Sequence, residues 1–226
     1  MNHPDAVNET SNKWVTYMMM SKAELPQPLS VLATSDDISK KDHSKLDKKL
    51  KQIYSHSKDD DRYVCKLLKG HGGHGVFFCR HKNILSILQC IFAVSPETKV
   101  LIQKKLDIKD GDLRVNVLTV NGKQDIVNIV RRTSSGEDFR TNLSLGGHSD
   151  AANIDSTQRK LAFAAAKASG LTWAGVDIIE DMNGDNYIIE VNGAPGTPFD
   201  VTDQEELLQK NIAFYADLVK KIDKLL

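Results

Sequence analysis

Two acids and an amide interrupt strands that are otherwise apolar. In Ala174-Gly175-Val176-Asp177-Ile178-Ile179 and Ile188-Ile189-Glu190-Val191-Asn192, the flanking residues are those of buried strands, so acids there need an explanation. With Asn183-Gly184 as a two-residue turn, Met182 faces Asp185, and counting outward places Asp177 opposite Glu190. Strand alternation puts Asn192 on the same face as Glu190. Opposed carboxylates repel across a ladder. A hard cation between them reverses that sign, and two carboxylates with one amide oxygen suit Mg²⁺. A solvent-facing polar row is the plain alternative. An EF-hand built on Asp181, Asn183 and Asp185 fails, because its sixth position is Asn186 rather than glycine and its twelfth is Asn192 rather than glutamate.

The second chemical signal is Lys66-Leu67-Leu68-Lys69-Gly70-His71-Gly72-Gly73-His74-Gly75-Val76. Gly70, Gly72 and Gly75 satisfy G-x-G-x-x-G, but a dinucleotide fold needs a helix after the third glycine. Val76-Phe77-Phe78-Cys79 is strand chemistry instead. No G-K-[ST] follows, which excludes a P-loop, and V-A-I-K, H-R-D and D-F-G are absent, which excludes a protein kinase. Strand, glycine loop, strand describes a flap whose backbone N–H groups close over phosphate oxygens, with Lys66 beside it as a point charge. A mobile hairpin with no ligand is the alternative. A zinc reading of His71, His74, His81, Cys65 and Cys79 finds no standard ligand spacing.

The elements that must hold these groups follow from the pattern of the 226 residues. Helices are expected at 9–23, 40–54, 84–92, from Asp155 or Ser156 to Gly170, and at 204–226. Strands are expected at 29–33, 63–68, 76–79 and 100–103, with hairpins 113–131 around Asn121-Gly122 and 173–191. Strands and helices mix without strict βαβ alternation, so the fold class is α+β. Lys+Arg and Asp+Glu both number 30, which argues against a dominant nucleic-acid surface. No apolar run approaches a membrane span, and the polar N-terminus lacks the core of a signal peptide. Three cysteines without a C-x-x-C fit a reduced, cytoplasmic setting.

Taken together, these motifs resemble an ATP-grasp ligase, and within that superfamily the RimK-type branch of glutamate ligases. The resemblance runs across nearly the whole chain in the family's order. Val64-Cys65-Lys66-Leu67 is similar to the lysine strand before the flap. Leu101-Ile102-Gln103 leads into the adenine-contacting segment. Gly111-Asp112-Leu113-Arg114 resembles the D-[IL]-R motif. Phe139-Arg140-Thr141-Asn142 with Gly146-Gly147 is similar to D-F-R-x-N…G-G, and Ala174–Asp177 with Glu190–Asn192 is similar to the metal strands.

The resemblance implies an ATP-grasp fold: a single unit over 1–226, with a leading helix at 1–26, a flap lobe at 27–102, a metal lobe at 103–226, and the nucleotide held between the lobes. It implies ATP contacts by Lys13, Lys66, Gly70, Gly72, Gly73, Gly75, Gln103, Lys104, Lys105, Leu106, Asp112, Arg140 and Asn142. Asp177, Glu190 and Asn192 would hold two Mg²⁺ ions, for which Mn²⁺ can substitute. Arg114 would steady the reacting carboxylate, against the alternative of a surface arginine paired with Asp112 or Asp110. The loop Gly193, Ala194, Pro195 and Gly196 would border an amino-acid, peptide or protein substrate. Two departures stand out: Lys104 replaces the usual glutamate, and the chain starts almost at the core, without the family's preceding α/β domain, so that either a partner supplies that domain, or the substrate is bound differently, or the protein no longer ligates. A homo-oligomer is compatible with the sequence; nucleic acid and membrane are not expected. The activity implied is a carboxylate–amine ligase working through an acyl phosphate. An ATP-grasp phosphotransferase and a non-catalytic ATP-binding module remain as alternatives.

Overall fold

A computed structural model describes residues 2–38, 42–56, 58–70, 73–134, 148–195 and 204–226, without the side chains of 204 and 207. In chain order the elements are α1 (Pro4–Thr10), α2 (Lys13–Lys22), β1 (Ser30–Ala33), α3 (Ser44–Ile53), β2 (Arg62–Leu67), β3 (Val76–Arg80), α4 (His81–Val94), β4 (Val100–Lys104), β5 (Asp112–Val120), β6 (Lys123–Thr133), β7 (His148–Ala151), α5 (Ser156–Ala168), β8 (Trp173–Glu180), β9 (Asn186–Asn192) and α6 (Gln204–Leu225). Contacts divide the chain into two compact units. One comprises Met1–Ser11, Val15–Gln27 and Ile108–Leu226; the other comprises Asn12–Trp14 and Pro28–Asp107.

The smaller unit is a four-stranded antiparallel sheet in the order β1-β4-β2-β3. One face carries Tyr63, Cys65 and Ile102, which pack with Leu46 and Leu50 of α3 and Leu88 of α4. The spacing of Leu46, Leu50 and Ile53 puts one stripe of an otherwise charged helix against the sheet. Because β2 alternates, Val64 and Lys66 point to the other face.

The larger unit is a five-stranded antiparallel sheet in the order β7-β6-β5-β8-β9. Its apolar face includes Leu113, Val115, Val176, Ile178, Ile188 and Val191, packed with Leu161 and Ala165 of α5 and Met20 of α2. Helix α5 starts at a reciprocal cap: Asp155 accepts from Gln158 N at 2.8 Å, and the Gln158 side chain accepts from Asp155 N at 3.2 Å. Gly170, at φ +68°, follows its end. The β5–β6 turn is Asn121-Gly122, both at positive φ as a two-residue hairpin of this type requires.

Four expectations need correction. The helix read over 9–23 is two helices, because Ser11 Oγ donates to Asn8 O at 2.6 Å and Asn12 Oδ1 accepts from Trp14 N at 3.0 Å, ending one helix and starting the next. The helix read from residue 40 starts at Ser44. Strand β7 was not anticipated: His148–Ala151 carries no alternating apolar pattern and is held by pairing to β6. Finally, Asn183-Gly184 is not a two-residue turn. Gly184 N donates to Asp181 O at 3.0 Å and Asp181 N to Asp185 O at 2.9 Å, making a three-residue loop with Gly184 at φ +89°. The Asp181 carboxylate accepts from the backbone N of Asn183 and of Asp185, so it braces that loop.

Candidate active site

The larger unit's sheet has a second face, and its composition is set by two irregularities. Counting from the Asn121-Gly122 turn would pair Asp112 with Arg131. A one-residue bulge near Asn116/Val117 shifts the register, so Asp112 faces Arg132. In the β8–β9 hairpin the tip pairs Ile178 with Ile188, whereas the base pairs Asp177 with Glu190 and Gly175 with Asn192. Ile189 is the extra residue. The expected Asp177–Glu190 pairing therefore occurs, but through a longer turn compensated by a bulge. Ile188 and Val191, three apart, both reach the core only because of that extra residue. The face opposite the core gathers Asp112, Arg114 and Asn116 of β5, Asn128 and Arg132 of β6, Asp177 of β8, and Glu190 and Asn192 of β9.

These groups form a chain of buried charge. Asp177 is only 1% exposed. Arg114 donates through Nε to its Oδ1 and through Nη2 to its Oδ2 at 2.8 Å. Arg132 Nη2 lies 2.9 Å from the same Oδ2, and Arg132 Nε donates to Asp112 Oδ2 at 3.0 Å. Burial pushes the Asp177 pKa up, but the charges of Arg114 and Arg132 outweigh it and hold the carboxyl below its ordinary range. Burial pulls the Arg132 pKa down, and the charges of Asp177 and Asp112 reverse that and raise it. Arg114 is thus not a surface arginine paired with Asp112 or Asp110. Those partners belong to Arg132 and Arg131 respectively.

Arg132 was absent from the sequence-based site. A charged residue at the end of a strand gives no signal by itself; what exposes it is register, which the bulge shifts by one. A usable clue was the placing of Ile126 and Ile129 three apart on one strand, a spacing that a regular ladder cannot send to a single face.

Glycine shapes the surroundings. A Cβ on Gly111, at φ +57°, would lie 2.1 Å from the Arg132 carbonyl oxygen. A Cβ on Gly175 would lie 2.7 Å from Pro195 Cβ, and 3.1 Å from both Arg114 Cδ and Asn116 Oδ1. Pro195 of the expected substrate loop and the Arg114 stem therefore both close on Gly175. Gly193 packs beneath α1, facing Val7 and Thr10. Asn192 Nδ2 and Asn116 Oδ1 are buried without a hydrogen-bond partner among the described residues, although Asn116 Nδ2 donates to Asn128 Oδ1 at 2.7 Å.

The donor set fits a hard cation. Asp177 and Glu190 face each other, and Asn192, whose Nδ2 is buried without a hydrogen-bond partner among the described residues, lies two residues along the same strand from Glu190. Among the described residues no group of three or more His, Cys, Asp or Glu could hold a metal; this set comprises two carboxylates and an amide. The Asp177 oxygens are already engaged by the guanidinium groups of Arg114 and Arg132.

Within the smaller unit, Lys66 is buried on the sheet face that also carries Gln103. The hairpin between β2 and β3 has Gly70, Gly73 and Gly75 at positive φ. Lys13 Nζ donates to Gly70 O at 2.9 Å, and Leu67 N to Gly75 O at 2.8 Å. In the segment expected to meet adenine, Lys104 N donates to Leu29 O and Lys105 N to Arg62 O, so both N–H groups are committed to backbone. The Leu106 carbonyl accepts from Lys105 Nζ at 2.7 Å. The Lys104 side chain lies over the Tyr54 ring, 5.3 Å from its centroid, on the face away from Gln103. Among the zinc candidates, Cys65 Sγ and Cys79 Sγ are 3.4 Å apart and His81 Nδ1 is 3.1 Å from the Tyr63 hydroxyl. Gly72, Arg140, Asn142 and Gly196 of the expected site, and His71, lie outside the described residues.

An opposed Asp–Glu pair on a five-stranded sheet, in a chain whose other unit is a four-stranded sheet with a glycine hairpin, defines an ATP-grasp fold. Solved ATP-grasp ligases agree. D-alanyl-alanine synthetase A from Vibrio cholerae O1 biovar eltor matches with a TM-score of 0.67 at 18% identity, over 100% of this chain and 68% of that one. The D-alanine–D-alanine ligase from Bacillus anthracis, solved with ATP, matches at 0.63 and 19%, over 97% and 67%. Residues 10–214 match the RimK-like ATP-grasp domain, and the chain belongs to that family. Among its relatives are proteins named probable alpha-L-glutamate ligase from Aeromonas salmonicida (strain A449) and probable alpha-L-glutamate ligase 1 from Shewanella sp. (strain W3-18-1). Each is 38% identical over 135 residues, 59% of this chain and 43% and 42% of theirs. The matched stretch thus spans less than half the length of these curated relatives.

Proposed function

We propose that this chain catalyses ATP-dependent, ADP-forming ligation of a carboxylate to an amine, with a peptide or protein carboxyl as the acid and glutamate as the amine. The observation that carries this reading is the opposed Asp177–Glu190 pair, with Asn192 beside it and Arg114 on Asp177, in a RimK-like ATP-grasp chain. The names of the relatives, probable alpha-L-glutamate ligases, support glutamate as one substrate. A carboxylate oxygen of the acid attacks the γ-phosphorus of ATP and ADP leaves. The amine nitrogen then attacks the acyl carbon, phosphate departs and the nitrogen loses a proton. Magnesium ions, held by Asp177, Glu190 and Asn192, would supply charge neutralisation on the phosphates.

No nucleophilic side chain is required, so the protein's own work is positioning and electrostatics. Arg114 presents a fixed guanidinium to the charge that develops at the acyl phosphate. Lys66, Lys13 and the glycine hairpin bind phosphates; Arg140 and Asn142 join them. Gln103, Lys104, Lys105 and Leu106 line the base, Asp112 stands by the nucleotide, and the Gly193–Gly196 loop borders the acid. A reduced, cytoplasmic setting suits a chain with three free cysteines.

The test is ADP release with peptide acid and glutamate, supplied separately and together. Release only with both supports ligation; release with acid alone and no amine requirement identifies a phosphotransferase. Glu190→Gln should reduce turnover by at least about a hundredfold while circular dichroism and melting stay near wild type. Wild-type turnover in that variant rules out the metal assignment.

A further inference from the structure

The state of Asp177 raises a question that rests on the metal reading above. A carboxylate offers about four lone-pair positions, and three N–H donors already occupy them here, two from Arg114 and one from Arg132. Mg²⁺ needs a lone pair at about 2.0–2.1 Å and repels a guanidinium placed on the same oxygen. About one position is left, beside two guanidinium charges, so the cation competes with the arginines for Asp177.

The two arginines are not equivalent. Arg114 grips Asp177 with two donors. Arg132 is 8% exposed and spans two acids. It can release Asp177 Oδ2 and keep a buried counter-ion, because Nε and Nη2 already bond Asp112 Oδ2. A buried charge that retains one partner avoids the large cost of an unpaired one. We propose that Arg132 is a positioning residue that substitutes for the divalent cation: it neutralises Asp177 in the metal-free site and withdraws onto Asp112 as the metal arrives. The site is loaded by exchange of one positive group for another.

Charge accounting points the same way. On this face, Asp112, Asp177 and Glu190 oppose Arg114 and Arg132, a net formal charge of −1 among the described residues. One divalent ion turns that to +1, which an anionic phosphate then balances. Metal alone is therefore held weakly, and metal with nucleotide tightly.

The experiment measures binding of Mn²⁺ alone to the full chain, from loss of the free-ion electron paramagnetic resonance signal, in wild type, Arg132→Lys, Arg132→Met and Glu190→Gln. Arg132→Lys keeps the charge, but its single ammonium cannot bridge both acids as the guanidinium does. Exchange predicts tighter Mn²⁺ binding in Arg132→Lys by about tenfold, the low end of what a metal ligand's partners contribute, and tighter still in Arg132→Met. Affinity in Arg132→Lys equal to or weaker than wild type overturns the exchange, whatever Arg132→Met does or whether it folds. Mn²⁺ binding that Glu190→Gln leaves unchanged instead removes the metal site itself, and the exchange with it.

Discussion

Arg114 carries two duties that separate cleanly in experiment. It holds the buried Asp177 carboxylate with two donors, and in the proposed reaction it meets charge that develops at the acyl carbon. Arg114→Ala should lower amine-dependent ADP release by roughly two to three orders of magnitude, as for loss of a preorganised donor, with ATP affinity little changed. Nucleotide affinity that falls in parallel would move Arg114 to the ATP site. Asp177 makes a second prediction, through pH. Its folded pKa lies below its unfolded value of about 3.9. Its contribution to stability is then fully present above that value and is lost as pH falls through the folded pKa. The stability gap between wild type and Asp177→Asn, from urea unfolding, should be constant from about pH 5 to 7 and narrow below about pH 4. A gap unchanged down to pH 3 would show that Asp177 is not held by its arginines.

Hairpins decide which side chains meet. Sequence alone revealed both hairpins of the larger unit, because apolar alternation is a local signal, and the expected pairing of Asp177 with Glu190 occurs because the longer turn and the bulge offset each other. Sequence alone missed the bulges at Val127 and Ile189, since an extra residue costs little locally and is chosen by packing across the sheet. Arg132 was hidden for that reason alone. The break between α1 and α2 was hidden because Ser11 and Asn12 cap as readily as they fit a helix. At the mouth of β5, Gly111 is the element's weak point. Gly111→Ala forces a side chain into a positive φ and against the Arg132 carbonyl. It should cost about 1–3 kcal/mol, read as a lower urea midpoint with unchanged slope. A variant as stable as wild type would mean that this strand end can shift freely.

At the level of the whole molecule, each unit has its own core. Leu50, 1% exposed, belongs to the core of the smaller unit, whereas Asp177 and Glu190 lie on the sheet of the larger one. Leu50→Ala should destabilise by about 2–5 kcal/mol and leave Mn²⁺ affinity at Asp177 and Glu190 unaltered below the unfolding transition. Affinity that fell with stability would mean that the units are energetically one body. Within the described residues no helix is long and apolar enough to cross a membrane.

The extra residues Val127 and Ile189 also mark where this gene can lose a codon. Deleting Ile189 straightens the ladder and leaves Glu190 facing Asp177, because the pairs on either side keep their partners. Deleting Val127 does the same for Arg132 and Asp112. Lineages of this chain can therefore differ in length at both places while the charged face is inherited intact. An alignment that sets such a gap one column late will match a relative's glutamate to Ile189 and leave Glu190 against the gap.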